Sequence, residues 1–432
     1  MNMSIDFENA VSISKYQSKL AKSIIQYTTI HSPYYKALLQ RERIDADNIS
    51  SLEDFKNIPI TTKTDLLRYN SQFFCCPDER ADTVMTSGST GSFPIIHPLA
   101  KTDLRRLAYN EKVSFLTAGV KKEDTVMLCT ALDGSFVAGL AYYLGLKEIG
   151  ANILRVGAKN LKMQMDALSA TAINTIVGVP SNLITLYNYF EKSGMIQGLD
   201  DVTKLILIGE SIRKEDFSLN QRGQRLATCF PKAILHSTYA NTETCSSFCE
   251  CQHGNGGHLH PQMAYAEVVD ESGHSVPEGA LGHLIITTFG SRGMPLIRYD
   301  TGDITFKISE PCPCGRSSIR IGPIIDRINS IIKIRGVTCS QSQLEEVLLS
   351  ENGIDDYCIE ITNTVSHGES VCIWISGEKN IEFLKNKVKA EIWENVRINA
   401  VVKHCSKEAL KELQFSTGSR KPVRFMKTER LD

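Results

Sequence analysis

Asp124-Thr-Val-Met-Leu-Cys-Thr130, Ala151-Asn-Ile-Leu-Arg-Val156, Ile173-Asn-Thr-Ile-Val-Gly-Val179 and Lys204-Leu-Ile-Leu-Ile208 are four short β-rich runs in one stretch of chain. Between them lie segments with apolar residues at helical spacing. Ser135 to Ile149 reads as one such helix, and Ser181 to Ser193 as another, capped by Ser181. Strands that alternate with helices of this length need crossover connections, so they pair in parallel and are covered on both faces. The stretch from about Asp82 to Ser237 therefore predicts an α/β sandwich.

Outward from this centre the pattern changes. From Gly257 to Phe306 shorter strands are separated by turn clusters, Glu271-Ser272-Gly273 and Pro277-Glu278-Gly279, which predicts an antiparallel subdomain. Asp326 to Gly336 reads as a boundary, Tyr357 to Ile375 as a hairpin and Asn380 to Val396 as an amphipathic helix. The expected class is α/β, with a large N-terminal domain, 1–329, and a small α+β C-terminal domain, 330–432. No internal repeat or low-complexity tract is visible.

The chain has 432 residues with 48 Lys+Arg against 49 Asp+Glu, a formal charge of −1, which is a poor footprint for nucleic acid. Composition is 42% hydrophobic, 22% charged and 7% aromatic, which excludes disordered, collagen-like and coiled-coil chains. The longest apolar runs, such as Leu205 to Ile208, are strand-sized, far below the ~18 residues that cross a bilayer. The N-terminus is acidic and lacks a basic segment followed by an apolar one, so the reading places the protein in the cytoplasm, away from membranes. Of 13 cysteines most sit alone in strand-like or helical stretches and read as small buried hydrophobes. Two pairs, Cys249/Cys251 and Cys312/Cys314, suggest a metal rather than disulfides in a reducing compartment.

The segment richest in chemistry is Thr86-Ser87-Gly88-Ser89-Thr90-Gly91, after the strand Asp82 to Met85. Glycines among hydroxyl side chains let backbone N–H groups and Oγ donors wrap a phosphate. It is not a Walker A loop, because Gly91 is followed by Ser92-Phe93-Pro94 rather than Lys-Ser/Thr. Three later segments keep company with it in order: Tyr239-Ala-Asn-Thr242-Glu243, then Arg298-Tyr-Asp-Thr-Gly-Asp303, then Asp326-Arg327 through Ile332-Lys-Ile-Arg-Gly336. Together they resemble the signatures of the adenylate-forming superfamily of acyl-CoA synthetases, luciferases and peptide-synthetase adenylation domains. Ile58-Pro-Ile-Thr-Thr-Lys63-Thr-Asp-Leu66, with His31-Ser-Pro-Tyr-Tyr35 and Met294-Pro-Leu-Ile297, is most similar to the phenylacetate-CoA ligase family.

That resemblance implies roles. Ser87, Gly88, Ser89, Thr90 and Gly91 would hold the phosphates of ATP, Thr242 the α-phosphate side, and Glu243 magnesium. The adenine would stack on Tyr239 against Gly209, Glu210 and Ser211, with Asp303 and Arg327 at the ribose. Ser135, Phe136, Ala138 and Gly139 would line the acid pocket, where Phe136 suits an aromatic ring as well as it suits the start of a core helix. The tail reads Arg420-Lys421-Pro-Val-Arg424 where the family has Gly-Lys-x-x-Arg, so Lys421 is the expected catalytic lysine. The hinge reads Asp326-Arg-Ile-Asn329 where Gly-Arg-x-Asp is usual, and Asn329 is the expected pivot of a mobile C-terminal domain.

For the cysteine pairs, spacing alone selects Cys249, Cys251, Cys312 and Cys314 as a tetrahedral zinc set. The resemblance replaces Cys249 by a histidine, giving Cys251, His258, Cys312 and Cys314, with His253 and His260 as alternates. The expected activity is that of a ligase that joins a small carboxylic acid, aromatic by resemblance, to coenzyme A. ATP is spent as AMP and pyrophosphate, with Mg²⁺ and a structural Zn²⁺ as metals. Transfer to an acyl carrier protein, and a zinc-stabilised binder without chemistry, are the rival readings. Oligomeric state, a homodimer included, is left open.

Overall fold

In the N-terminal region, short polar residues set where helices begin. Helix α1 (Ala10–His31) starts at Asn9, whose side chain accepts from the Ser12 N–H. It ends at Ser32, which opens α2 (Pro33–Arg41) with proline in the first turn. Reciprocal capping boxes start α3 (Leu52–Phe55), from Ser51 and Asp54, and α4 (Lys63–Tyr69), from Thr62 and Asp65. The antiparallel hairpin β1 (Arg80–Met85) and β2 (Ile96–Ala100) follows, then α5 (Lys101–Thr117).

The sandwich is built from β3 (Thr125–Leu128), α6 (Val137–Ile149), β4 (Asn152–Arg155), α7 (Leu161–Ala170), β5 (Thr175–Gly178), α8 (Pro180–Lys192), β6 (Lys204–Ile208), α9 (Gln221–Cys229), β7 (Ile234–Asn241), β8 (Ser246–Cys249) and β9 (Gly257–His258). Then come β10 (Ala264–Val269), β11 (Gly282–Thr288), β12 (Tyr299–Thr305), β13 (Lys307–Ile308) and β14 (Arg320–Ile321). One nine-stranded sheet runs β13-β14-β9-β8-β7-β6-β5-β3-β4. Its half from β4 to β7 is parallel and the rest antiparallel. Strands β10, β11 and β12 form the separate antiparallel sheet that the turn clusters predict.

Alternation along the parallel strands separates two cores. Met127, Ile176, Leu205 and Leu207 pack with Leu168, Leu183, Phe190 and Leu226. Their neighbours Val126, Leu128, Val177, Ile206 and Ile208 pack with Leu107, Phe115, Tyr142 and Leu146 on the other face. Each such fully buried side chain contributes roughly 1.5–3 kcal/mol, so this double-sided burial dominates the fold. Glu111 of α5 lies inside this second layer at 3% exposure, and burial pushes its carboxyl up to about 7 against hydrogen bonds from Ser247 and Asn110.

One detail departs from expectation. Helix α8 begins at Pro180, not Ser181, and Ser181 instead donates its N–H and hydroxyl to the Glu210 carboxylate at 2.9 and 2.8 Å. Strand β7 runs on to Asn241, because the small residues of β8 pair with it antiparallel, Tyr239 opposite Phe248.

The computed structural model describes residues 3–76, 79–86, 94–334, 337–364, 368–377, 380–416 and 422–430. They group into two compact units, Met1–Thr86 with Pro94–Ile324, and Ile325–Asp432. The second unit holds β15 (Asp326–Arg327), β16 (Ile331–Ile334), β17 (Val337–Ser340), α10 (Gln341–Ser350), β18 (Asp356–Thr364), β19 (Gly368–Ser376), α11 (Ile381–Val396), β20 (Ala400–His404), α12 (Lys407–Gln414) and β21 (Phe425–Arg430). Its sheet runs β20-β19-β18-β21, and Ile359, Ile373 and Ile375 pack against Leu344 and Leu348 of α10 and Val388 and Ile392 of α11. Among the described residues no helix is long and apolar enough to cross a membrane.

Candidate active site and metal centre

Because β7 continues antiparallel into β8, Thr242 and Glu243 sit on a tight hairpin turn. The Asn241 side chain accepts from the Thr244 N–H at 3.1 Å, and Cys245 closes the turn with φ +46°. Arg106 of α5 clamps its base from below. Its guanidinium is 2% exposed and donates to the carbonyls of Cys245 at 2.9 Å, Phe289 at 2.6 Å and Met263 at 2.7 Å, and to the Ser246 hydroxyl at 3.1 Å. A buried arginine satisfied by neutral acceptors fixes backbone, and burial lowers its pKa.

On the strand leading into this turn the Tyr239 ring stacks on Phe248, centroids 5.8 Å apart at 24°. Its hydroxyl donates to the Asp303 carboxylate at 2.7 Å, so two residues 64 positions apart are brought together. Asp303 is itself 1% exposed, at the end of the Arg298–Asp303 segment.

The Ile58–Leu66 segment docks beside them. Thr61 donates its N–H to the Arg298 carbonyl at 2.9 Å and its carbonyl accepts from the Asp300 N–H at 2.8 Å. Arg298, at φ +45°, donates from Nη1 to the Ile58 and Lys56 carbonyls and pairs with the buried Glu267 at 3.1 Å. This lock, with the α4 capping box, sets Lys63, whose ammonium stands 3.8 Å from Glu243 Oε1. Lys63 and Arg106 were missed as site residues. Lys63 sits within a segment read only as a family marker, and Arg106 carries no signal that separates it from the surface charges of its helix.

At the end of β6, Gly209 takes φ +76°, and the Glu210 carboxylate is engaged by Ser181 and by Arg222 at 3.3 Å. Ser211 donates to the Arg213 carbonyl at 3.1 Å, so any wall this loop offers comes from its backbone. Ser135, at φ +56°, accepts at its carbonyl from the Met85 N–H at 3.0 Å, which ties the start of α6 to the strand that leads into the Ser/Thr/Gly loop. Phe136 precedes α6 and packs half-buried on the core, Ala138 is in that core, and a Cβ on Gly139 would lie 1.9 Å from the Ala131 carbonyl oxygen. Arg327 is exposed in the second unit. Ser87, Gly88, Ser89, Thr90, Gly91 and Lys421 lie outside the described residues, as does the side chain of Asn329.

The metal-type residues converge. Ligand atoms of Cys251, His258, Cys312 and Cys314 all lie within 4.8 Å of one another. Cys251 Sγ is 3.6 Å from Cys312 Sγ, and Cys314 Sγ is 3.6 Å from His258 Nε2. A tetrahedral zinc with Zn–S bonds of ~2.3 Å holds its sulfurs ~3.8 Å apart, so these donors fit the ion in number, type and spacing. Burial pushes the Cys251 thiol up to about 12 and holds His258 down to about 3, the latter helped by Arg316 and Arg320. At Cys314 burial is outweighed by hydrogen bonds from Arg316, leaving that thiol below its ordinary value. Cys249, which spacing alone admits, points into the sandwich core and accepts from the Thr238 hydroxyl at 3.0 Å. His260 is engaged by Ser114 at 3.2 Å, and neither it nor His253 belongs to the cluster.

Solved structures carry the same architecture. A 2-hydroxyisobutyryl-CoA ligase in the postadenylation state, in complex with R3-HIB-AMP, superposes with a TM-score of 0.85 at 19% identity, covering 98% of this chain and 91% of that one. The anthranilate CoA ligase AuaEII, in complex with anthranoyl-AMP, gives 0.57 at 14%, covering 75% and 63%. The fold is thus that of the adenylate-forming ligases. No family profile matches the chain. Among curated proteins, the phenylacetate-coenzyme A ligase of Thermus thermophilus is 31% identical over 343 residues, spanning 77% of this chain and 74% of that protein. That of Aromatoleum evansii is 23% identical over 419 residues, spanning 94% and 92%. The chain belongs to the phenylacetate-CoA ligase family, and as such is an AMP-forming acid–thiol ligase that works through an acyl-adenylate.

Proposed function

We propose that the protein activates an aromatic carboxylic acid with ATP and passes the acyl group to coenzyme A, and that the Tyr239–Asp303–Glu243 cleft is where the nucleotide binds. The observation that carries this reading is the 2.7 Å hydrogen bond joining Tyr239 to Asp303 beside the Thr242-Glu243 turn. It gathers an aromatic face for a base, a carboxylate for ribose hydroxyls and a carboxylate for a phosphate-bound cation.

In the first step a carboxylate oxygen of the acid attacks the α-phosphorus, the bond from that phosphorus to the bridging oxygen breaks, and pyrophosphate leaves. Ser87 to Gly91 would wrap the phosphates, Thr242 would donate to the α-phosphate, and Lys421 would neutralise charge between acid and α-phosphate. Mg²⁺ held by Glu243 would supply neutralisation of the phosphates. In the second step the coenzyme A thiolate attacks the acyl carbon and AMP departs. The work divides between a domain 1–329 and a C-terminal domain 330–432 that turns about Asn329 between steps. The pocket around Ser135, Phe136, Ala138 and Gly139 would receive the acid. Zn²⁺ in the Cys251/His258/Cys312/Cys314 set would be structural, since all four positions are filled by protein.

An acid panel with ATP, Mg²⁺ and coenzyme A, read by AMP release, tests this. Phenylacetate and related aryl acids should release AMP and yield thioester. Adenylate formation without thioester would shift the acceptor to a carrier protein, and no turnover with any acid would favour a non-catalytic binder. Lys421→Ala should lose ATP–pyrophosphate exchange while keeping thioester formation from preformed acyl-adenylate. Equal loss of both steps would remove Lys421 from its assigned role.

A further inference from the structure

Lys63, at the start of α4, and Glu243, on the turn between β7 and β8, approach to 3.8 Å, and the two side chains are unequal partners. The Glu243 side chain is 9% exposed and fixed on the hairpin turn that Arg106 clamps, whereas that of Lys63 is 45% exposed. At 3.8 Å the pair is a charge contact rather than a hydrogen bond. Ion pairs with one well-solvated member add about 0–1 kcal/mol to folding, so stability does not account for the effort spent in placing this lysine. That effort is considerable. Thr61 is bonded on both sides to the Arg298–Asp300 backbone, Thr62 and Asp65 cap α4, and Arg298 holds the preceding carbonyls.

Lysine at such a point has a second use. A magnesium ion takes oxygen ligands at ~2.1 Å, so a carboxylate oxygen and a phosphate oxygen bound to one ion lie ~3–4 Å apart. Phosphate oxygens bound beside Glu243 would therefore stand as near the carboxylate as the Lys63 ammonium now stands. A flexible four-carbon stem bridges that shift without backbone movement. We propose that Lys63 is a catalytic residue of the adenylation step, a counter-ion to Glu243 in the empty cleft that turns to the β- and γ-phosphates once a divalent cation takes its place. The step leaves the acid oxygen bonded to the α-phosphorus, and the electron pair of the broken bond goes to the departing pyrophosphate. The ammonium neutralises that charge and stays protonated throughout. This inference rests on the reading of Glu243 as the cation ligand and adds a residue to it.

Two effects of opposite sign follow from one substitution. Lys63→Met removes the cation that competes for Glu243, so Mn²⁺ alone should bind the full-length protein more tightly, by about two- to fivefold. The same change removes a phosphate partner, so magnesium pyrophosphate should bind about tenfold more weakly, the size of one charge-assisted hydrogen bond. Calorimetric titration with each probe reads both without any acid, and Lys63→Arg should restore pyrophosphate binding to within about threefold. Thermal melts of the variants check that the fold persists. Shifts of the same sign, an unchanged pyrophosphate affinity, or no pyrophosphate binding by the parent protein would each overturn the proposal. Glu243→Gln separates the two layers. If it keeps full Mn²⁺ affinity, the reading of Glu243 fails. If it loses Mn²⁺ while Lys63→Met changes nothing, only the role of Lys63 fails.

Discussion

The Cys/His cluster and the Tyr239–Asp303–Glu243 group, the proposed nucleotide site, both gather polar side chains on the antiparallel side of the sheet, yet they are finished to different degrees. At the cluster the chain supplies every donor, and Cys251, His258 and Cys312 are 3%, 0% and 4% exposed. At the cleft the chain stops short. Tyr239 and Thr242 are half-buried, and Glu243 faces an ammonium too far away for a hydrogen bond. The first arrangement leaves no coordination position for a substrate and suits a fixed ion. The second pairs Glu243 with a half-exposed ammonium beyond hydrogen-bond reach, an arrangement that an incoming ligand can rearrange.

Emptying the closed site should therefore cost the most and cost it in stability. Chelation, or Cys312→Ser, is expected to lower the melting midpoint by on the order of 10 °C, as a loss of several kcal/mol does in a chain of this size. Calorimetry with metal analysis measures it, and a zinc-free protein with an unchanged melt would break the contrast. The open site should respond in the opposite currency. Asp303→Ala, which also strands the Tyr239 hydroxyl, should lower kcat/KM for ATP by ~30–100-fold while lowering the melting midpoint by only about 2–5 °C. A large melting shift there would make the cleft structural too.

The smallest effect is expected at Glu111, which belongs to neither region. Below pH 4.5 its carboxyl is protonated whether folded or unfolded. Between 4.5 and about 7 the unfolded chain releases the proton while the folded one keeps it, so stability falls as pH rises, and the penalty is complete above about 7. Glu111→Gln should thus stabilise the protein by on the order of 2 kcal/mol at pH 8 and hardly at all at pH 4.5. Urea unfolding at the two pH values measures this, and a gain independent of pH would show that the carboxyl is not held neutral.

The sandwich was readable because β3, β5 and β6 are buried on both faces and so carry adjacent apolar residues, Val126-Met-Leu128, Ile176-Val177 and Leu205-Ile-Leu-Ile208, instead of an alternating pattern. Strand β8 was not, because Ser246-Ser-Phe-Cys249 carries no β-branched residue and pairs through its position between β7 and β9. Ser181 was misread as a cap because a serine at a helix start looks the same whether it accepts from its own helix or donates to a carboxylate brought in by the fold. In the cluster, spacing alone chose Cys249 over His258. Cys249 is the last residue of β8 and packs in the core, whereas Cys251 lies two residues on, past the end of the strand, among the ligand set; resemblance carried that information where counting residues could not. Lys63 lay in plain view within a quoted motif, but its partner Glu243 is 180 positions away.

The Glu210 carboxylate that meets the first turn of α8 carries one more consequence, for biosynthesis. The residue that finishes this helix end is joined to the chain 29 positions after Ser181. While the nascent chain is being extended, α8 must wait for β6 and the loop beyond it to be translated before its leading turn is secured. The sheet that organises the enzyme is thus completed backwards at this point, from a later strand to an earlier helix.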